Sequence, residues 1–140
     1  MNSFWAVVHF FCAAYMTGII WFVQRVQYPM LHLTDGPRAK EGHREYTRRM
    51  GPVVMPVMLL EVFLQGRWLV QEPGLPAFVG AALLATVWLS TFLLQVPCHR
   101  RLERNFDPQV QKFLVRSNWI RSAAWSLRAL ITGLTLLPCS

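Results

Sequence analysis

Acidic side chains are scarce in this chain of 140 residues: seven Asp and Glu stand against fourteen Lys and Arg, and charged residues of both signs make up only 15%. Ordinary soluble domains carry roughly 25%. Cysteine is sparse too. Cys12, Cys98 and Cys139 are an odd number without metal-type spacing, so neither a disulfide framework nor a cysteine metal site is expected. There is no nucleophile elbow, phosphate-binding loop or zinc-helix motif, so no motif assigns a reaction. Ahead of the first apolar run there is no Lys or Arg, and no small-residue cleavage site follows it. That run therefore reads as a retained helix rather than a secretory signal.

What is abundant is apolar: 54% of the residues are hydrophobic, enough for an integral membrane protein built as one transmembrane domain over residues 1–140. Four stretches of about bilayer length stand out, at about residues 4–23, 51–70, 75–96 and 119–137. Pro52 suits a helix start, Pro56 a bend within the second span, and the Pro73-Gly74 pair a turn between the second and third. The expected fold is all-α: a four-helix transmembrane bundle.

The basic residues set its orientation. Six lie between the first two spans (Arg25, Arg38, Lys40, Arg44, Arg48, Arg49) and five between the last two (Arg100, Arg101, Arg104, Lys112, Arg116). By the positive-inside rule both long loops are cytoplasmic and both termini are not. The net charge of +7 is thereby a matter of topology and of attraction to lipid headgroups, and no nucleic-acid partner is expected. The loops themselves contain helix signals. Thr34 or Asp35 can cap a polar stretch reaching about Met50, and Asp107-Pro108 starts a helix that continues into the fourth span. Multi-pass insertion in a bacterial inner (plasma) membrane follows.

The fourth span carries two arginines. Asn118, Arg121, Trp125, Arg128 and Thr132 are spaced three and four apart and share one helix face. An arginine facing lipid costs about 2.5–3.5 kcal/mol on insertion scales, so this face should turn inward. Span two offers Glu61, Gln65 and Trp68 on one face; span one offers Thr17, Trp21, Gln24 and Tyr28; span three offers Trp88, Thr91, Gln95 and His99, with a break at Pro97 before the last. Counted inward at 1.5 Å per residue, Glu61 lies about 15 Å deep and Arg128 about 14 Å. The expected intramembrane ion pair is Glu61–Arg128, either a pair that only sets helix register or one with a ligand or proton role.

A second cluster falls near the cytoplasmic boundary. Gln24, Tyr28, Gln95, His99, Asn118 and Arg121 form the floor of an expected cup, with Trp21, Trp88 and Trp125 as its upper wall. Such a cup suits a hydrophobic or amphipathic ligand, lipid or quinone-like, although amides at this depth also serve simply to bond helices together. His9 stands alone in the outer part of span one. A haem between spans wants two inward histidines at one depth, so no haem or other cofactor is expected. The segment EGHRE around His43 matches no metal motif.

The segments TGIIWFVQRVQYPML, MLLE, LSTFLLQVPCHRRL and NWIRSAAWSLRAL together resemble a group of small, uncharacterised bacterial four-helix integral membrane proteins, over nearly the whole chain. More distantly, the chain is similar to the anthrone-oxygenase-like membrane family. The resemblance implies four spans on a short chain. The histidine that precedes the Tyr-Pro pair in that family is Gln27 here, and no mechanism carries over. Three functions are compatible with these residues. The first is a ligand-binding membrane protein using the inner cup, with lipids and a hydrophobic small molecule as partners. The second is a non-catalytic subunit of a larger membrane complex, and the third a small proton-coupled transporter acting as a homodimer.

Overall fold

In a computed structural model, which describes residues 3–31 and 37–137, the chain is helical apart from short turns, with no strand among the described residues. Four rods follow one another: α1 (Ser3–Leu31), α2 (Pro37–Gln71), α3 (Leu75–Arg104) and α4 (Pro108–Leu134). Three of them, α1, α2 and α3, contain stretches long and apolar enough to cross a membrane. The fourth is not among these, because its arginines and polar residues dilute its apolar face.

Each rod packs against two neighbours: α1 on α2, α2 on α3, α3 on α4 and α4 on α1. The two diagonals, α1 to α3 and α2 to α4, have little or no close backbone approach. The usual partition of residues is inverted here. Phe11, Phe63, Phe92, Leu93 and Leu130 are exposed, whereas His9, Glu61, Gln65, Asn118 and Arg128 are buried. Apolar residues outside and polar residues inside are what a bundle surrounded by hydrocarbon requires, since polar groups must find partners within the protein. Two apolar cores lie along the axis. One is built on Met16, Ile20, Met58, Val87 and Trp125. The other, nearer the basic ends of the helices, is built on Val23, Tyr28, Leu102 and Leu114.

The local structure departs from a simple four-span reading in two places. The polar stretch before Met50 and the second span are one continuous helix of 35 residues, with Pro52 and Pro56 inside it rather than at its start. Each of these prolines removes the bond to the carbonyl four residues earlier and crowds that carbonyl with its ring. The candidate caps Thr34 and Asp35 lie outside the described residues. In α3 the helix does not break at Pro97. A π-helical turn over Thr91–Gln95 comes just before it, so Pro97 falls in the first turn of the next α-helical segment, Val96–Arg104. There its absent N–H is not needed. A matching π-helical turn occupies Val23–Gln27 of α1. Asp107 caps α4, its side chain accepting from the Gln109 amide at 2.8 Å.

Candidate functional site: a polar spine and an inner cavity

The polar side chains gather in two places along the axis. In the half nearer the chain termini, Arg128 from α4 is wholly buried and reaches across the diagonal to α2. Its Nη2 lies 3.3 Å from Glu61 Oε1, and its Nε donates to the same oxygen at 3.4 Å. The shorter bonds go elsewhere: Nη1 donates to Gln65 Oε1 at 2.9 Å and to the Gly80 carbonyl at 2.6 Å. Trp125 Nε1 donates to the second Glu61 oxygen at 2.9 Å. Gln65 in turn donates to the Ala77 carbonyl at 2.9 Å, tying α2 to α3. His9, expected to stand alone, is in this spine: its Nε2 is 3.2 Å from Arg128 Nη2, and its ring meets Trp68 edge-on. One arginine thus touches all three other helices, and each of its nitrogens has a partner.

The half nearer the basic ends of the helices contains a cavity of about 350 Å³. Its walls come from α1, α2 and α3, with Arg121 the sole contribution of α4. Met16, Ile20, Val23, Val54 and Met58 make the apolar side, and Tyr28, Gln95, His99 and Arg121 supply polar groups. Tyr28 donates to Gln95 Oε1 at 3.3 Å, and Gln95 Nε2 donates to Ser117 Oγ at 2.9 Å. The exposed members of the lining are Met55 and Arg100.

Of the residues singled out for the cup, Tyr28, Gln95, His99 and Arg121 line this cavity; the others do not. Gln24 and Asn118 are buried behind it. Gln24 Nε2 donates to the Val115 carbonyl at 3.2 Å, Asn118 Nδ2 donates to Gln24 Oε1 at 2.8 Å, and Asn118 Oδ1 accepts from Arg121. The expected tryptophan wall is absent. Trp21 is exposed, donates to Ser126 Oγ at 3.0 Å and packs edge-on against Trp119. Trp88 is half-buried and stacks on Phe92. Trp125 is buried, with its indole nitrogen committed to Glu61. The cause is the azimuth of each face. The buried face of α1 runs through Ala13, Met16, Ile20 and Val23, one position round from Trp21, and that of α3 runs through Leu84, Val87 and Ser90, one position round from Trp88.

The π-helical turns explain why Tyr28 and Gln95 nevertheless face the cavity. From Ser90 to Gln95 the buried positions step by five instead of three or four, and in α1 the adjacent Val23 and Gln24 are both buried ahead of Tyr28. Each widened turn absorbs one residue and keeps the polar side chain on the inner face. Widened turns of this kind often occur at functional sites.

Beside the cavity lies a pair that the sequence does not announce. His99 Nδ1 is 2.8 Å from His43 Nε2, although the residues are 56 positions apart, and Tyr46 lies beside both rings. Burial, the neighbouring His43 and Arg121 together push His99 down to about 3. Burial also lowers His43, against the opposing pull of Glu103. Two neutral imidazoles, one donating and one accepting, account for the short contact. Glu103 accepts from Thr47 Oγ1 at 2.5 Å. Among the described residues no three His, Cys, Asp or Glu side chains are grouped so as to hold a metal ion, and Cys12 and Cys98 are free thiols. Cys139 and His32 lie outside the described residues.

Comparison with known proteins finds no matching family model, no matching curated protein and no matching solved structure.

Proposed function

We propose that this chain is a four-span membrane protein that binds a hydrophobic or amphipathic molecule in the inner cavity. In this reading all four helices cross a bacterial inner membrane, and both termini face away from the cytoplasm. The basic residues of the two long connections support that orientation, since Lys and Arg near span ends are held on the cytoplasmic side. The exposed apolar belts and the buried polar spine support immersion in hydrocarbon. Only the amphipathic α4 needs its neighbours to cross, and its Arg121 and Arg128 are covered by them.

One observation carries the binding role: a cavity of about 350 Å³ with apolar side walls and a few polar groups on one side. Ligand pockets run from about 300 to 1,000 Å³ and have this composition. The outer spine offers no comparable space. Its arginine is bonded on every nitrogen, which suits fixing the four helices in register rather than holding a ligand. The same saturation argues against a proton-coupled carboxylate at Glu61, because both of its oxygens are already engaged, one by Arg128 and the other by Trp125.

Mass spectrometry of small molecules that co-purify with the protein tests the reading. An amphipathic compound should accompany the wild type and be depleted in Val54→Trp, in which the indole fills the cavity. Identical lipid profiles from the two proteins would contradict it.

A further inference from the structure

We propose that the occupant of the cavity is a single-chain amphiphile with an anionic head, a carboxylate or a phosphate monoester, seated against Arg121. This rests on the ligand-binding reading above and adds the chemical class of the ligand.

Two buried arginines lie on one face of α4, two turns apart, and they are treated differently. Arg128 is saturated by Glu61, Gln65 and the Gly80 carbonyl. Arg121 is 8% exposed, yet among the described residues it forms one hydrogen bond, from Nη1 to Asn118 Oδ1 at 3.2 Å, and no ion pair. Its Nε is buried and has no partner. The Trp125 ring covers one face of the guanidinium, 5.2 Å from Cζ. A guanidinium carries five N–H donors and stays protonated in proteins. Buried without a counter-charge it is costly, and an anion supplied by a ligand offsets that cost through short, charge-assisted hydrogen bonds.

The surrounding groups agree with an anion rather than a cation. The acidic side chain of the lining, Glu103, accepts from Thr47 and makes no ion pair with Arg121. Tyr28 is already bonded to Gln95, and Gln95 to Ser117. When His43 donates to His99 Nδ1, the remaining proton of His99 sits on Nε2, which gives the cavity a second donor. Arg100, exposed in the lining, adds positive charge where a headgroup would enter.

The rest of the cavity fits an acyl chain. Four of the chain's six methionines (Met16, Met50, Met55 and Met58) line it. Methionine is unbranched and polarizable, and adapts to chains of varied shape. Met55 is exposed on α2, so a chain longer than the cavity has an apolar exit beside it. The volume lies near the lower end for ligand sites, which favours a head and part of one chain over a two-chain phospholipid.

The test is equilibrium binding of radiolabelled oleate, 1-oleoyl lysophosphatidate and oleyl alcohol to the purified full chain in a neutral detergent. Inorganic phosphate serves as a competitor. Oleate, lysophosphatidate or both should bind about tenfold or more tighter than oleyl alcohol, as one charge-assisted hydrogen bond implies. The better of the two identifies the head as carboxylate or phosphate. Arg121→Gln should remove that preference while leaving oleyl alcohol within about twofold, and Arg121→Lys should keep part of it. The wild-type comparison of oleate with oleyl alcohol stands even if the glutamine variant does not fold. Equal binding of acid and alcohol would overturn the anionic head and leave the cavity reading intact. Displacement of oleate by phosphate at equal affinity would overturn the acyl chain. Binding of every probe unchanged in Val54→Trp would overturn the cavity reading itself.

Discussion

Arg128 and Glu61 meet across a diagonal of the bundle, 3.3 Å apart and both wholly buried, although the helices that carry them pack mainly on other partners. Two long side chains therefore do what helix contact does not: they hold opposite rods at a fixed depth. Removing one partner should be far worse than removing both. Arg128→Met leaves a buried carboxylate supported by Trp125 alone and should cost about 3–5 kcal/mol. Glu61→Leu combined with Arg128→Met should cost clearly less than the two single changes added together. Unfolding in mixed micelles, run as a double-mutant cycle, measures the difference.

Gly80 is where α3 comes closest to this spine. A Cβ there would stand 3.0 Å from Gln65 Oε1 and 3.3 Å from the Trp68 ring. Gln65 cannot retreat without losing Arg128 or the Ala77 carbonyl. Gly80→Ala should therefore destabilise by about 1–3 kcal/mol, the range for overpacking. Gly133→Ala meets only Phe10, also at 3.0 Å, but Phe10 is half-buried and has room to turn outward. That variant should unfold within about 0.5 kcal/mol of wild type. Thermal unfolding of the two variants side by side checks the contrast.

Much of the spine is legible in the sequence, and the reason is regularity. On α4 the buried positions Leu114, Asn118, Arg121, Trp125, Arg128 and Thr132 keep three- and four-residue steps, so a helical count places Arg128 correctly and depth pairs it with Glu61. The cavity is less legible because α1 and α3 each contain a widened turn that no local residue pattern signals. Counting through those turns selects faces centred on Trp21 and Trp88, one position from the true ones. The histidine pair is hidden for another reason. His43 and His99 come together only because α2 and α3 extend well past their apolar parts and pack there. His9 looked solitary because its partner is an arginine, not a second histidine.

The histidine pair predicts a pH dependence. His99 is held at about 3 and His43 is also lowered, both from an ordinary 6.5, chiefly by burial. Below pH 6.5 the unfolded chain takes up protons that the folded chain refuses, so stability falls as pH drops. The decline should begin near pH 6.5 and continue towards 3. Groups facing the pair are Arg121, Tyr46 and Glu103. Replacing both histidines with Gln should reduce the slope between pH 6.5 and about 3. A slope unchanged by that double substitution would assign the effect to other groups.

The proposed orientation makes a separate prediction. In a cysteine-free background, Arg49→Cys should react with a membrane-impermeant maleimide only after the cytoplasmic face is opened. Gln71→Cys, exposed at the opposite end of the same helix, should react in intact cells. The reverse pattern would invert the topology while leaving the bundle as described.

What fills the space between Met55 and Arg121 decides most directly whether the cavity binds an amphiphile. A high-resolution structure in lipid nanodiscs, purified without added ligand, settles it. Elongated density running from the Arg121 guanidinium along Met58 and out past Met55 is the predicted result. A closed seam between α2 and α3, with Arg121 turned toward the surrounding headgroups, would contradict it.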